Sequence, residues 1–479
     1  MAAIVLLIIC IFGASIGFYL LVLTQLSWYY AMIITTGGAV LLGSSVLQVQ
    51  TVIEKVKGLL SHVRLGHVLW ANLFILSVWI FRGRDAAQLA QNPVDSAALV
   101  RILSVAVAGV IVFIIGLVER KEIIGQLLRG LPGLMFAYGL VALASAIYSP
   151  FRTLSVYKAC EIIVDVGVIA FFLSYYPSRA DMKRWIDFNW FMVALLIALV
   201  WVGAILFPNR AFRHGVGTLG VQIYGQMPIM NPNSIGVLAA IIVIISLSRT
   251  LHVRGLNERI MYIILLAVGE TTLMLSQART SLFGGMLAIM VVLLLNKRIK
   301  LLGFVALLLV MVIIFSSNLP SLLLEYIMRG QSSTLFYSFS GRSPYWSIAW
   351  EKFLESPIYG YGFSAGSRYT VLAQIGLGAQ AAMHNAWLEI LVNVGIIGLI
   401  PAALAFLGTW WTLLRICFQP HSCLDKTTRM LSIEMIGLLI ILSARSITGT
   451  LFLHDRETLL FLLVVAYAQQ IRNWTKELE

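Results

Sequence analysis

Charge is scarce in this chain. Asp, Glu, Lys and Arg make up 11% of its 479 residues, against about a quarter in an average soluble domain. A soluble globule with so few charges could not cover its surface. The 60% apolar content also excludes an intrinsically disordered chain. Cysteine is nearly absent. Cys10, Cys160, Cys417 and Cys423 give neither a disulfide framework nor the paired spacing of a zinc site. No phosphate-binding P-loop, dinucleotide fingerprint, low-complexity tract or internal repeat is found.

Apolar sequence in long runs is what remains, with a mean hydropathy of +0.91. The runs fall near 3–23, 28–48, 66–81, 102–118, 130–148, 155–176, 188–207, 233–248, 260–276, 280–295, 300–316, 387–414, 430–448 and 457–471. A bilayer core of about 30 Å needs about 20 helical residues. The runs therefore predict an all-α polytopic membrane protein of about 12–14 transmembrane helices. The run 66–81 is short, and only Gln277, Ala278 and Arg279 separate 260–276 from 280–295. Met1–Thr24 lacks the basic start of a signal peptide and runs into further spans, so it reads as the first transmembrane helix. One long interruption, Ser317–Met383, is rich in aromatics and turn residues and predicts an ordered lid or a small extracytoplasmic domain. The expected organisation is transmembrane helices over 1–316, an extracytoplasmic loop with short helices over 317–386, and C-terminal transmembrane helices over 387–479.

The net charge of +13 forms no basic stripe with interleaved aromatics, so no nucleic-acid partner is expected. It orients the helices instead. With both termini in the cytoplasm, the inner loops carry Lys55, Lys57 and Arg64, then Arg120, Lys121 and Arg129, then Arg179, Lys183 and Arg184. Arg249, Arg254 and Arg259 follow, with Lys297, Arg298 and Lys300, Arg415, Lys426 and Arg429, and finally Arg472 and Lys476. Every inner loop is basic, as the positive-inside rule requires.

Arg152, Arg210, Arg213, His214, Arg279, Arg342, His384, Asp455 and Arg456 then gather outside. Guanidinium forks match phosphate oxygens and stay charged, so the cluster suits an anionic ligand; outer arginines also serve lipid headgroups. Arg279 sits in Ser276-Gln-Ala-Arg-Thr-Ser281 at a helix start, a natural anion site. His384 opens His-Asn-Ala-Trp-Leu-Glu389. A lone histidine is usually a cap or packing residue, but it is also the side chain suited to proton abstraction near neutral pH. Lys158, Glu161 and Asp165 share one helical stripe inside a span. They read equally as a structural ion-pair network and as part of a polar channel.

Asn231-Pro-Asn233 with Gly236, Ala278-Arg-Thr-Ser281, Gly341-Arg342…Trp346, Pro357…Gly360-Tyr-Gly362 and His384-Asn…Leu388…Gly395…Gly398 resemble, in that order, the bacterial O-antigen ligase and polysaccharide polymerase family. The resemblance covers about Tyr148–Gly398. It implies an architecture similar to GT-C-type glycosyltransferases, and inverting, metal-independent transfer of a glycan from undecaprenyl diphosphate to an acceptor hydroxyl. It implies no cofactor. By the same resemblance Arg213, Arg279 and Arg342 hold the diphosphate, and His384 is the base or orienting group. Trp346, Tyr361 and Asn385 are candidate glycan contacts. The site would face the periplasm from the bacterial cytoplasmic membrane, with a flippase and a chain-length regulator as expected partners. The motif pattern leans toward an exopolysaccharide polymerase. The alternatives are a ligase acting on lipid A core or protein, a polysaccharide or glycolipid transporter using Lys158, Glu161 and Asp165, and a scaffold for an envelope-synthesis complex.

Overall fold

The computed structural model describes residues 49–79, 96–118, 120–215, 219–304, 307, 319–376, 382–418, 425–453 and 455–476. The runs near 3–23 and 28–48, with the Met1–Thr24 reading, and most of 300–316 lie outside the described residues. Every other apolar run coincides with a helix. The helices are α1 (Val49–Leu60), α2 (Leu65–Trp79), α3 (Ser96–Val118), α4 (Arg120–Leu127), α5 (Gly130–Ala144), α6 (Arg152–Tyr175) and α7 (Arg179–Leu206). Then come α8 (Pro232–His252), α9 (Leu256–Ser276), α10 (Arg279–Leu295), α11 (Leu319–Met328), α12 (Ser343–Glu355), α13 (Ala386–Cys417), α14 (Lys426–Thr448) and α15 (Arg456–Lys476). Two hairpins interrupt them between α7 and α8: β1 (Phe212–His214) with β2 (Val221–Ile223), and β3 (Gly225–Gln226) with β4 (Ile229–Met230).

Among the described residues, 7 helices are long and apolar enough to cross a membrane, and α2 and α10 are shorter apolar helices. The chain is an all-α polytopic membrane protein. By contact it groups into two compact units. One contains Asp187–Phe336, Pro420–Ile441 and the segment up to His62; the other contains Val63–Ile186, Tyr337–Gln419 and Leu442–Glu479.

In the first unit α8 is buried on all sides, from Ile235 through Thr250. A helix apolar all round must be wrapped by others. Its start is fixed by Asn231, whose side chain accepts from the Ser234 backbone N–H at 2.8 Å and hydroxyl at 2.7 Å. Pro232, without an N–H, sits where none is needed. One turn on, a Cβ at Gly236 would stand 2.4 Å from Cβ of Ala278. The Asn-Pro-Asn…Gly motif therefore presses α8 against the Ala278-Arg-Thr-Ser turn.

In the second unit α15 is the buried helix, fully enclosed from Leu459 to Ala468. Beside it α13 is broken. Gly395 has φ 62° and ψ −161° inside the helix. The carbonyls of Val392 and Asn393 accept from the N–H groups of Tyr361 (2.9 Å) and Gly362 (2.8 Å). In return, the Ile396 and Ile397 N–H groups donate to Pro357 and Ile358. Thus Pro357…Gly362 and Asn393…Gly398 interlock as one backbone-to-backbone clasp, which meets the polar groups freed by the break. A Cβ at Gly395 would lie 2.2 Å from the Ile358 carbonyl oxygen, and the positive φ disfavours any side chain. Gly395→Ala should therefore lower the unfolding temperature in detergent sharply. Gly116→Ala, where nothing lies within 4 Å, should leave it unchanged.

The same unit contains the Lys158–Glu161–Asp165 stripe. Glu161 is fully buried and accepts from Tyr157 (2.5 Å) and Lys158 (2.7 Å), while Arg101 of α3 stands at ion-pair distance, 3.0 Å. Arg101, Lys158 and Glu161 form an ion-pair network joining α3 to α6. Two donors and a facing guanidinium are what a desolvated carboxylate requires.

Candidate active site

The first unit holds an arginine cluster around the α9–α10 turn. After Ser276 the chain takes a left-handed residue, Gln277 (φ 51°), and α10 begins at Arg279. Two amides lock the turn to the first hairpin. Gln222 donates to the Ser276 carbonyl at 2.8 Å, and Gln277 to the Val221 carbonyl at 2.9 Å. In the hairpin register Arg213 lies opposite Gln222. The Tyr326 hydroxyl donates to the Met274 carbonyl at 3.0 Å, tying α11 to the end of α9.

Arg279 donates to the Met328 carbonyl at 2.9 Å and to Gln331 at 2.7 Å, with its guanidinium 5.2 Å from the Phe336 ring. It stands at a helix N-terminus, where the backbone dipole adds positive potential. Arg213 is exposed and stacks over Tyr224 at 3.8 Å. Arg329 is drawn below the ordinary guanidinium range by burial, with Tyr224 and Tyr326 opposing the shift. Neither Arg213 nor Arg329 forms an ion pair with a described residue. Arg210 and His214 are exposed at the edge of the same segment.

The second unit holds the histidine. Trp346 donates to the Met383 carbonyl at 2.8 Å, fixing the residue before His384. His384 itself adopts φ 53°, left-handed backbone that costs a non-glycine residue about 1–3 kcal/mol. Asn385 then caps α13, accepting from the Leu388 N–H at 3.1 Å. Arg342 precedes α12 and donates to the Thr448 carbonyl at the end of α14 (3.0 Å). Trp387 donates to Ser446 at 3.1 Å. In the last turn of α14, Arg445 pairs with Glu457 at 3.0 Å, and Arg456 reaches the same carboxylate at 3.3 Å.

Burial, followed by the charges of Arg342 and Arg445, lowers the His384 pKa to about 3. The imidazole is neutral at working pH. Below about pH 6.5 the unfolded chain takes up a proton that the folded chain refuses. This group's contribution to stability is therefore present above 6.5 and lost as pH falls toward 3.

Trp346 and Asn385 thus position the histidine through their own contacts, and the Tyr361 hydroxyl donates to Glu355 at 3.0 Å. Glu389, five residues past His384, is buried and accepts from Ser367 at 3.3 Å. Two arginines escaped the sequence reading. Arg329 sits in the long loop without a motif. Arg445 lies inside an apolar run, although Ala444-Arg445-Ser446 repeats the alanine–arginine–hydroxyl order of Ala278-Arg279-Thr280. Among the described residues, no group of three or more His, Cys, Asp or Glu is placed to hold a metal ion.

A family model described as O-antigen ligase matches residues 261–403, a segment that contains Arg279, Arg329, Arg342, His384 and the clasp through Gly398. No curated protein matches the chain. The match supports assignment of the chain to the O-antigen ligase/polymerase family of membrane enzymes.

Proposed function

We propose that this protein is an inverting membrane glycosyltransferase that polymerises undecaprenyl-diphosphate-linked repeat units into cell-surface polysaccharide. In this reading it works at the outer face of the bacterial cytoplasmic membrane, beside a flippase and a chain-length regulator. The observation that carries the reading is the gathering of Arg213, Arg279 and Arg329 around one turn that opens a helix.

In the reaction, an acceptor hydroxyl oxygen attacks the anomeric carbon of the donor glycan. The bond from that carbon to the diphosphate oxygen breaks, and undecaprenyl diphosphate leaves with the bonding electrons. Negative charge builds on the departing diphosphate, where fixed guanidiniums stabilise it without reorganising. The hydroxyl proton passes to neutral His384. Arg342 supplies further positive charge near the histidine. No metal is needed for this charge balance.

The glycine-arginine and Gly360-Tyr-Gly362 pattern favours a polymerase over a ligase for lipid A core or protein. The taking-up of Glu161 by two donors and the Arg101 guanidinium weighs against a transporter that would titrate it. The test is the undecaprenyl-linked glycan pool of a strain lacking the protein. Accumulated single repeat units are the expected result. Long lipid-linked chains that never reach an acceptor would mean a ligase, and an unchanged pool would overturn both.

A further inference from the structure

The guanidiniums beside His384 outnumber what the fold itself requires. Arg445 lies in the last turn of α14, where the C-terminal helix dipole accounts for about half a positive charge. Three arginines stand there. Arg342 rests on the Thr448 carbonyl, and Arg445 and Arg456 share the carboxylate of Glu457. The neighbouring Asp455 accepts from the hydroxyls of Thr450 and Thr458 and caps α15 through the Thr458 N–H. The side chains are desolvated: 8% exposed for Arg445, 14% for Arg456 and 1% for Glu457. The Arg456 Nε–H is buried with no acceptor among the described residues. A buried guanidinium donor left open is a costly arrangement unless an anion completes it. Arg445 and Arg456 also lie beyond the family match, which ends at residue 403.

We propose that Arg445 and Arg456, with Arg342, form a second oxyanion site, next to His384, that binds the diphosphate of a lipid-linked substrate. The inference rests on the polymerase reading, in which donor and acceptor both carry undecaprenyl diphosphate. Arg213, Arg279 and Arg329 serve one such group, and the trio in the second unit serves the other. Guanidinium forks of this kind select phosphate over monodentate anions. The site also acts on the histidine beside it. Burial first, and then the charges of Arg342 and Arg445, keep His384 neutral, so an anion docked on the two arginines offsets their share and strengthens the base when substrate is in place.

The test is the binding stoichiometry of undecaprenyl diphosphate, free of glycan, to the full-length protein in lipid nanodiscs. Two molecules per chain are expected. Arg279→Gln should leave one. Arg445→Lys, which keeps the charge but loses the fork, should weaken the other about tenfold while the first still binds, so the retained site reports that the variant is folded. Glu457→Gln should keep two sites and bind at least as tightly, because it removes the competing carboxylate. A stoichiometry of one in the unaltered protein would overturn the proposal. So would two undiminished sites in Arg445→Lys, or loss of binding in Glu457→Gln, which would mark Arg445–Glu457 as a structural pair only. The readout needs no glycan transfer. Two sites in a protein that transfers nothing would overturn the enzyme reading and leave this site standing. Transfer by a protein with one site would do the reverse.

Discussion

His384→Ala should lower glycan transfer about a hundredfold or more while leaving the protein in the membrane. A positioned general base contributes about 10²–10⁴ in rate, and in the proposed reaction His384 takes the hydroxyl proton. Alanine also meets the left-handed backbone, φ 53°, so the loss could be blamed on folding. His384→Asn separates the two effects. Asparagine tolerates that backbone region far better, yet its amide cannot take a proton. The two variants should differ in thermal stability and be nearly equal in rate. If His384→Asn kept full activity, the histidine would be only a positioning or cap residue. The pH profile adds a sign. With the imidazole held to about 3, kcat/KM of the free enzyme should show no limb from this group between about pH 5 and 8.

The largest stability loss is expected from Glu434→Ala, far from any proposed chemistry. Glu434 is fully buried and takes two bonds from Arg249, at 2.9 and 3.2 Å, and a third from the Trp190 indole at 3.0 Å. Arg249, 9% exposed, also pairs with Asp187 at 2.6 Å. Removing Glu434 leaves a desolvated guanidinium held only by Asp187 and a long 3.4 Å bond to the Tyr262 hydroxyl, and orphans the indole N–H. Breaking a buried pair from one side costs about 3–5 kcal/mol. Replacing both ends with apolar residues, as in Arg249→Met with Glu434→Leu, should recover much of that loss. Thermal unfolding in detergent measures both. Equal loss in the single and double variants would contradict the account.

These two residues mark where the sequence is legible. Hydropathy located the spans because burial in lipid demands long apolar runs, and Asn231 with Pro232 announced the start of α8 by local capping chemistry. Arg279 was conspicuous because only three residues separate two apolar runs. The Lys158–Glu161–Asp165 stripe is visible from helical spacing, but the Arg101 guanidinium that pairs with Glu161 comes from another helix. Arg249 and Glu434 are 185 positions apart, and local pattern says nothing of such a pairing. The break at Gly395 was hidden for a different reason. Hydropathy reads composition, not φ, so 387–414 looked like one continuous helix. Only the clasp with Pro357–Gly362 shows why both glycine motifs are needed.

The central claim is glycosyl transfer from a lipid diphosphate, with Arg279 meeting the leaving group. It is tested most directly with purified protein in nanodiscs and an undecaprenyl-diphosphate-linked oligosaccharide. Released undecaprenyl diphosphate and extended glycan would be measured together. The account predicts that both appear in matched amounts with no added metal, and that Arg279→Gln lowers both about a hundredfold. An unaltered substrate, or product formed equally well by Arg279→Gln, would contradict it.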